Sequence, residues 1–289
     1  MAPAPSTEPP ASSRAIARTR LPWFFVGLSR RGRPMLLDRK ANSSKGAGMG
    51  SGTGLGLSRP SAGVAVDLRL YGILDVGVLG GDATALATLA AEAVAGGATL
   101  LQYRDKDLTD ARAALARIRA IHAALAGRAP LLVNDRVDLA LAAGVEGVHL
   151  GQSDLHPEDA RRLLGPRAII GLTVKTGAQA DELYRLPIDY ACIGGVFATT
   201  SKDNPDPPVG LDGLQRIVFR ARLARGQSLP LGAIAGIDAS NTASVIRAGA
   251  DGVALIGALF KGGATEAKAR DLLARVDEAL GQRGSTGMR

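Results

Sequence analysis

Asp135 and Asp154 each stand just past a short apolar run. Leu131–Val133, entered from Pro130, is long enough for a buried strand and too short for a helix, and Asn134 and Asp135 end it. Gly147–Leu150 is a second such run, closed by Gly151, Gln152, Ser153 and Asp154. Between them Arg136–Ala143 repeats apolar residues at helical spacing and stops at Gly144. A strand–helix–strand unit crosses over right-handedly and lays its strands parallel, so both carboxylates emerge at one edge of the sheet. Paired carboxylates with little other acid nearby suit one Mg²⁺, which keeps several waters and completes its shell with phosphate oxygens. The plainer alternative is that the two Asp residues cap the helices that follow them.

The elements that position this pair repeat along the chain. Leu68–Leu74, Thr99–Tyr103, Ala168–Leu172, Tyr190–Gly194, Leu231–Ile234 and Val253–Ile256 are predicted strands. Helices are predicted between them, over Asp82–Ala95, Thr109–Leu125, Pro157–Leu164, Ala178–Tyr184, Leu211–Leu223 and Ala239–Arg247, with Thr265–Leu280 closing the series. Eight strand–helix units with short connections are the pattern of an α/β fold, a single closed (β/α)8 TIM barrel over residues 67–281. A doubly wound open sheet would need a Gly-rich first turn, and Asp75–Asp82 holds no G-x-G-x-x-G.

In such a barrel the site forms where strands end and loops begin. The polar residues at those points are Gln102, Arg104 and Lys106, Asn134 and Asp135, Gln152 and Asp154, Thr173 and Lys175, and Thr199, Thr200, Ser201 and Lys202. The seventh and eighth strands end instead in Ala235-Gly236 and Gly257, bare backbone of the kind that holds a phosphate. Carboxylates, cations, hydroxyls and a backbone cradle on one rim suit a metal-bound diphosphate and a second phosphorylated molecule.

Charge and composition narrow the class. The net charge of +8 resides wholly in residues 1–64, where ten Lys/Arg face Glu8 and Asp38, and the remainder is neutral. A neutral barrel with 3% aromatic residues offers no stacking platform for nucleic acid. The single Cys192 excludes an internal disulfide and fits a reducing, cytoplasmic setting. No apolar run approaches the roughly 20 residues that span a bilayer, which leaves no membrane role. Residues 1–66, rich in Pro, Ser, Gly and Ala, read as a disordered basic extension, and 282–289 as a flexible tail. Leu21–Leu28 imitates a signal peptide, but Arg30-Arg31-Gly32-Arg33 follows instead of a small-residue cleavage site. The leader also resembles an organellar transit peptide, and the simplest expectation is a true start at Met35 or Met49.

The motifs L-Q-Y-R-D-K (Leu101–Lys106), V-N-D (Val133–Asp135), G-V-H-L-G-Q-S-D (Gly147–Asp154), I-G-L-T (Ile170–Thr173) and G-G-V-F-A-T-T-S-K (Gly194–Lys202) resemble, in order, the thiamine-phosphate synthase family. The resemblance implies a transferase that joins a hydroxymethylpyrimidine diphosphate to a thiazole phosphate, or its carboxylated form, and releases diphosphate. It implies that Gln102, Tyr103, Arg104, Asp105, Lys106, Asn134, Thr173 and Lys202 hold the pyrimidine diphosphate, with packing the better role for Tyr103 itself. Asp135 and Asp154 would bind Mg²⁺. Thr199, Thr200, Ser201, Ala235, Ile256 and Gly257 would hold the thiazole phosphate, and Arg104, Lys106 and Lys202 would assist the chemistry. Three positions depart from the family pattern. Thr173 replaces a usual Ser and keeps the hydroxyl; Ala235-Gly236 replaces Gly-Gly; Gly257 replaces a frequent Ser. The Ala235 methyl is tolerable if φ stays negative.

Other residues have structural readings. His149 lies within a strand and is expected to be a hydrogen-bonded interior His, His122 a surface residue of a helix, and Cys192 core. His156 lies in a strand-end loop, and Asp203–Pro208 reads as a stiffened loop at the site. Two other functions compete: a related barrel that isomerises thiazole phosphates, and a non-catalytic phosphate-sensing barrel whose basic tail contacts nucleic acid or an anionic surface. The first has no need of both Asp residues together with Arg104, Lys106 and Lys202. Small phosphorylated molecules are the expected partners, and the sequence is compatible with a homo-oligomer.

Overall fold

The computed structural model describes residues 65–199 and 207–286. Residues 1–64, with the leader-like stretch, lie outside them, as do Thr200, Ser201, Lys202 and residues 203–206.

Eight parallel strands close on themselves in chain order. They are β1 (Leu70–Asp75), β2 (Leu100–Arg104), β3 (Leu131–Asn134), β4 (Gly147–Leu150), β5 (Ile169–Val174), β6 (Tyr190–Ile193), β7 (Leu231–Ile234) and β8 (Gly252–Leu255), and β8 pairs back onto β1. The connecting helices are α1 (Val76–Leu79), α2 (Ala83–Ala95), α3 (Ala111–Leu125), α4 (Val137–Ala143), α5 (Pro157–Leu164), α6 (Gly177–Asp181), α7 (Gly210–Arg225), α8 (Thr242–Arg247), α9 (Gly257–Phe260) and α10 (Thr265–Thr286). The expected barrel is the one observed. The expected helix ending at Tyr184 tightens after α6 into a 3₁₀ turn over Glu182–Arg185.

The caps follow the sequence where short polar residues precede the apolar stripe. Asp82 and Asp110 accept from the first turns of α2 and α3, and Thr176 makes a capping box with Gln179 at α6. The strands alternate, so one set of residues faces the helices and the other fills the barrel. Leu101, Tyr103, Val133, Val148 and Leu172 belong to the outer layer with Ile118, Leu139 and Val245. Leu68, Tyr71, Ile73, Leu100, Leu132, Tyr190 and Cys192 fill the interior. Val66 joins that inner cluster, so packing begins inside the stretch assigned to the extension, and α10 runs past residue 281 to Thr286.

At the end of the barrel opposite the rim one device recurs. Thr99, Glu146, Asp189 and Asp251 each stand immediately before an even-numbered strand, and each side chain accepts the backbone N–H of a residue in the preceding strand. The recipients are Leu70, Leu131, Ile170 and Leu231, at 2.8 to 3.1 Å. The three acids also meet a basic side chain from a helix: Glu146 with His122, Asp189 with Arg161 at 2.7 Å, and Asp251 with Arg222 and with Arg283 at 2.9 Å.

Candidate active site

The two rim carboxylates do not cap helices. The N-cap position of α4 is Arg136, which makes no side-chain cap bond, and α5 is capped by His156. Asp135 instead adopts φ 61°, a left-handed conformation that Asp tolerates better than most residues. Its backbone N–H donates to the His149 carbonyl at 2.9 Å, which ties the end of β3 to β4. Its carboxylate lies against both Lys106 and Asp154. Asp154 is held by a tight turn in which the Gly151 N–H donates to its Oδ2 at 2.7 Å. Burial and the Asp154 carboxylate push the Asp135 pKa above the usual carboxylate range, and Lys106 opposes them. Two acids forced together in this way are short of positive charge. Among the described residues no group of three or more His, Cys, Asp or Glu could hold a metal, so a cation at this pair would draw further oxygens from water and ligand.

Arg104 ends β2 on the same rim and pairs with Asp75, which ends β1 and is buried. Asp75 also accepts from Val78 N and so caps the short α1. Nothing in its surroundings in the sequence distinguished it from a strand terminator. Register could have found it, because Asp75 is the direct β1 partner of Arg104.

Strand alternation separates the remaining residues of that motif. Gln102 is buried on the inside, whereas Tyr103 belongs to the outer layer and its hydroxyl donates to Asp105 Oδ2 at 3.0 Å. Asp105 also pairs with Arg117 of α3 at 3.5 Å. The side chains of Tyr103 and Asp105 are therefore directed to α3, which leaves their backbone as the part that could face a pyrimidine diphosphate. Gln102, Arg104, Asn134 and Thr173 are brought together around one small cavity in the barrel mouth, with His149 and Cys192 also at its wall. His149 is the interior hydrogen-bonded His expected, His122 pairs with Glu146 at the partly exposed face of α3, and Cys192 is buried. Gln152 is spent on structure, donating to the Thr173 carbonyl at 2.6 Å.

Across the mouth, Thr199, Ala235, Gly236, Ile256 and Gly257 line a second cavity of about 70 Å³. That is far below the several hundred Å³ of a whole-ligand pocket and suits a headgroup. A wider cleft of about 400 Å³, lined by Asp238, Ser240, Lys268 and Asp271, lies between the β7–α8 loop and α10. It carries neither the paired Asp residues nor Arg104 and Lys106, and we do not assign it to the site. The cradle departs from expectation at one residue: Ala235 has φ 84°, not the negative φ that its methyl favours. The carbonyl of Ala235 accepts from Phe197 N at 3.1 Å, and a Cβ on Gly236 would lie 2.4 Å from the Ala198 carbonyl oxygen. The turn is thus locked onto the loop after β6, and Ala235 adopts the strained backbone that the lock requires. Ala235→Gly should raise stability by about 0.5 to 1 kcal/mol, the relief of left-handed strain less the added freedom of the unfolded chain. Thermal denaturation would read it, and an unchanged or lower melting temperature would show that Ala235 is unstrained.

Fold and rim together define a (β/α)8 barrel whose charged and small residues gather where the strands end. More particularly, residues 70–259 match the family model described as thiamine monophosphate synthase, and the chain belongs to that family. It is 48% identical over 217 residues to the thiamine-phosphate synthase of Agrobacterium fabrum, which covers 74% of this chain and 96% of that protein. It is 47% identical over 195 residues to the thiamine-phosphate synthase of Koribacter versatilis, covering 66% of this chain and 89% of that one. Among solved structures, thiamine phosphate pyrophosphorylase from Pyrococcus furiosus superimposes with a TM-score of 0.63 at 31% identity, over 74% of this chain and 98% of that chain.

Proposed function

We propose that this enzyme condenses 4-amino-2-methyl-5-(diphosphooxymethyl)pyrimidine with 4-methyl-5-(2-phosphooxyethyl)thiazole to give thiamine phosphate and diphosphate. The observation that carries the reading is the contact between Asp135 and Asp154, beside Lys106 and across the mouth from a headgroup-sized backbone cradle. A single phosphate would need only the cradle. The acid pair fits one Mg²⁺ shared with a diphosphate, with Lys106 in contact with Asp135 and Arg104 at the end of β2 as cations on the same rim.

The chemistry requires no protein nucleophile. The C–O bond of the pyrimidine diphosphate breaks, its electron pair leaves on diphosphate, and the electron-rich aminopyrimidine stabilises the cation left on the methylene carbon. The thiazole nitrogen then donates its lone pair to that carbon. Bound Mg²⁺ would offset part of the charge that grows on the leaving group. Asp135 and Asp154 would hold the Mg²⁺, Arg104 and Lys106 would neutralise diphosphate oxygens, and Thr199 and the turns at Ala235 and Gly257 would hold the second substrate in line. Lys202, Thr200 and Ser201, outside the described residues, keep the roles that the family resemblance gives them. The reducing setting suggested by the lone Cys192 suits a cytoplasmic enzyme, and no described helix is long and apolar enough to cross a membrane.

A condensation assay with both phosphorylated substrates, with Mg²⁺ and with chelator, tests the reading: thiamine phosphate should form only with Mg²⁺. The catalytic unit proposed here begins at the barrel. A chain starting at Val64 should match the full chain in turnover and melting temperature. One starting at Leu70 loses Val66 and Leu68 from the inner cluster and should lose about 2 kcal/mol or more, the scale of a buried aliphatic side chain. Equal stability of the two shortened chains would show that those residues do not plug the barrel.

A further inference from the structure

Five polar side chains form a line across the barrel beneath the rim. Gln102 Nε2 donates to Tyr71 Oη, and the Tyr71 and Tyr190 hydroxyls lie 3.0 Å apart. Tyr190 Oη is 2.8 Å from His149 Nδ1, and His149 Nε2 is 2.8 Å from Thr173 Oγ1. The two ends, Gln102 and Thr173, line the same small cavity. Both tyrosines are fully buried in the interior cluster, and Tyr190 stacks near His149 with ring centres 5.5 Å apart. The fold makes room for this ring: a Cβ on Gly171 would lie 2.1 Å from Tyr190 Cζ.

Two proton arrangements run unbroken from one end of the line to the other, because each hydroxyl and a neutral imidazole can donate once and accept once within it. In the first, Gln102 donates to Tyr71, Tyr71 to Tyr190, Tyr190 to Nδ1, and Nε2–H to Thr173. The Thr173 proton and the Gln102 carbonyl oxygen are then left for the cavity. In the second every bond reverses, and the cavity receives the Thr173 oxygen and the Gln102 amide protons. Acidity decides between them at His149. A phenol is a stronger donor than an alcohol, and an alcohol oxygen a better acceptor than a phenol oxygen. Tyr190 therefore donates to Nδ1 and fixes the Nε2–H tautomer, since the bond at one ring nitrogen sets the proton at the other. Burial raises the pKa of both tyrosines, so both stay protonated throughout the working range.

We propose that Tyr71 and Tyr190 are positioning residues that hold this line in the first direction, so that Thr173 offers a donor and Gln102 an acceptor and the site selects a 4-amino over a 4-oxo pyrimidine. The proposal rests on the substrate reading above. An aminopyrimidine supplies a ring nitrogen to accept and an amino group to donate. An oxo ring sets its carbonyl oxygen against the Gln102 carbonyl oxygen, and a mismatch of buried polar groups of this kind costs about tenfold or more in affinity.

The test combines ¹⁵N NMR of the three histidines in the free protein with binding of the amino and oxo pyrimidine diphosphates. Wild type should show His149 as the Nε2–H tautomer alone and prefer the amino ligand. Tyr190→Phe removes the donor at Nδ1, so a second tautomer should appear and the preference should fall about tenfold. Tyr71→Phe leaves the Tyr190–His149 bond, so the tautomer should stay as in wild type while the freed Gln102 amide still lets the preference fall. That split between the variants is what mere packing would not produce. Variants that are less stable but keep both tautomer and preference overturn the proposal, as does an Nδ1–H tautomer in wild type. If wild type binds neither ligand, the substrate reading has failed and the selectivity with it, while the tautomers still decide the direction of the line.

Discussion

Asp135→Asn should lower turnover at least about a hundredfold, the scale of losing a charged group that stabilises a leaving anion, with the barrel still folded. Asn tolerates the left-handed backbone that Asp135 adopts at φ 61°, so the change removes charge and little else. Asp154→Asn should do the same, because an amide oxygen can still accept from Gly151 N. The variants should also differ from wild type without substrate. Burial and the Asp154 carboxylate raise the Asp135 pKa in the folded chain, so the folded state binds that proton more tightly than the unfolded state does. Stability from this group is full in acid below the ordinary carboxylate range and is lost as pH rises through the raised value. At neutral pH the charged pair is then a liability. Asp135→Asn should raise the melting temperature of the free protein, and Mg²⁺ should raise that of wild type but not of the variant. Wild-type turnover undiminished in chelator would remove the metal from the reading.

Arg104→Met should be costly in two separable ways. Asp75 is buried, and removing its cation leaves an uncompensated charge worth about 3 to 5 kcal/mol of stability. Turnover should fall by at least about a hundredfold through the lost charge on the diphosphate. Asp75→Asn in the same chain should recover most of the stability, since Asn can still accept from Val78 N, and none of the turnover. Denaturant melts and initial rates on both single variants and the double variant would separate the effects. An Arg104→Met protein as stable as wild type would show that Asp75 has another partner for its charge.

Much of this was legible in the sequence because it depends on period and punctuation. Apolar runs of strand length, each followed by polar residues and a helical stripe, give the barrel and its rim, and so bring Asp135 and Asp154 together. Alternation would also have separated Gln102 from Tyr103, had it been pressed through the motif: one faces the interior, so the next must face the helices. Backbone conformation was not legible. Local preference gives no warning that Ala235 takes a positive φ, since the lock onto Phe197 and Ala198 that imposes it comes from a distant loop. Nor was the buried line of polar groups. Tyr71 and Tyr190 read as ordinary strand aromatics, and only closure of the ring brings β1, β2, β4, β5 and β6 to a common centre.

The side-chain contacts at the closed end of the barrel also pair the strands two by two. Thr99, Glu146, Asp189 and Asp251 fasten β1 to β2, β3 to β4, β5 to β6 and β7 to β8. The equivalent positions before the odd strands are Arg69, Pro130, Ala168 and Pro230, none of which has a side-chain acceptor. The barrel end opposite the rim thus carries its side-chain fastenings in four staves, each two strands wide, with backbone ladders joining one stave to the next. Asp135 and Asp154 ride on one stave, so their spacing is that of a rigid body. Lys106, Arg104 and Gln102 ride on the next, and the Lys106–Asp135 ion pair crosses the joint at the rim, so the pair that would hold a metal is linked to the cations by a side-chain contact that a bound diphosphate would have to share.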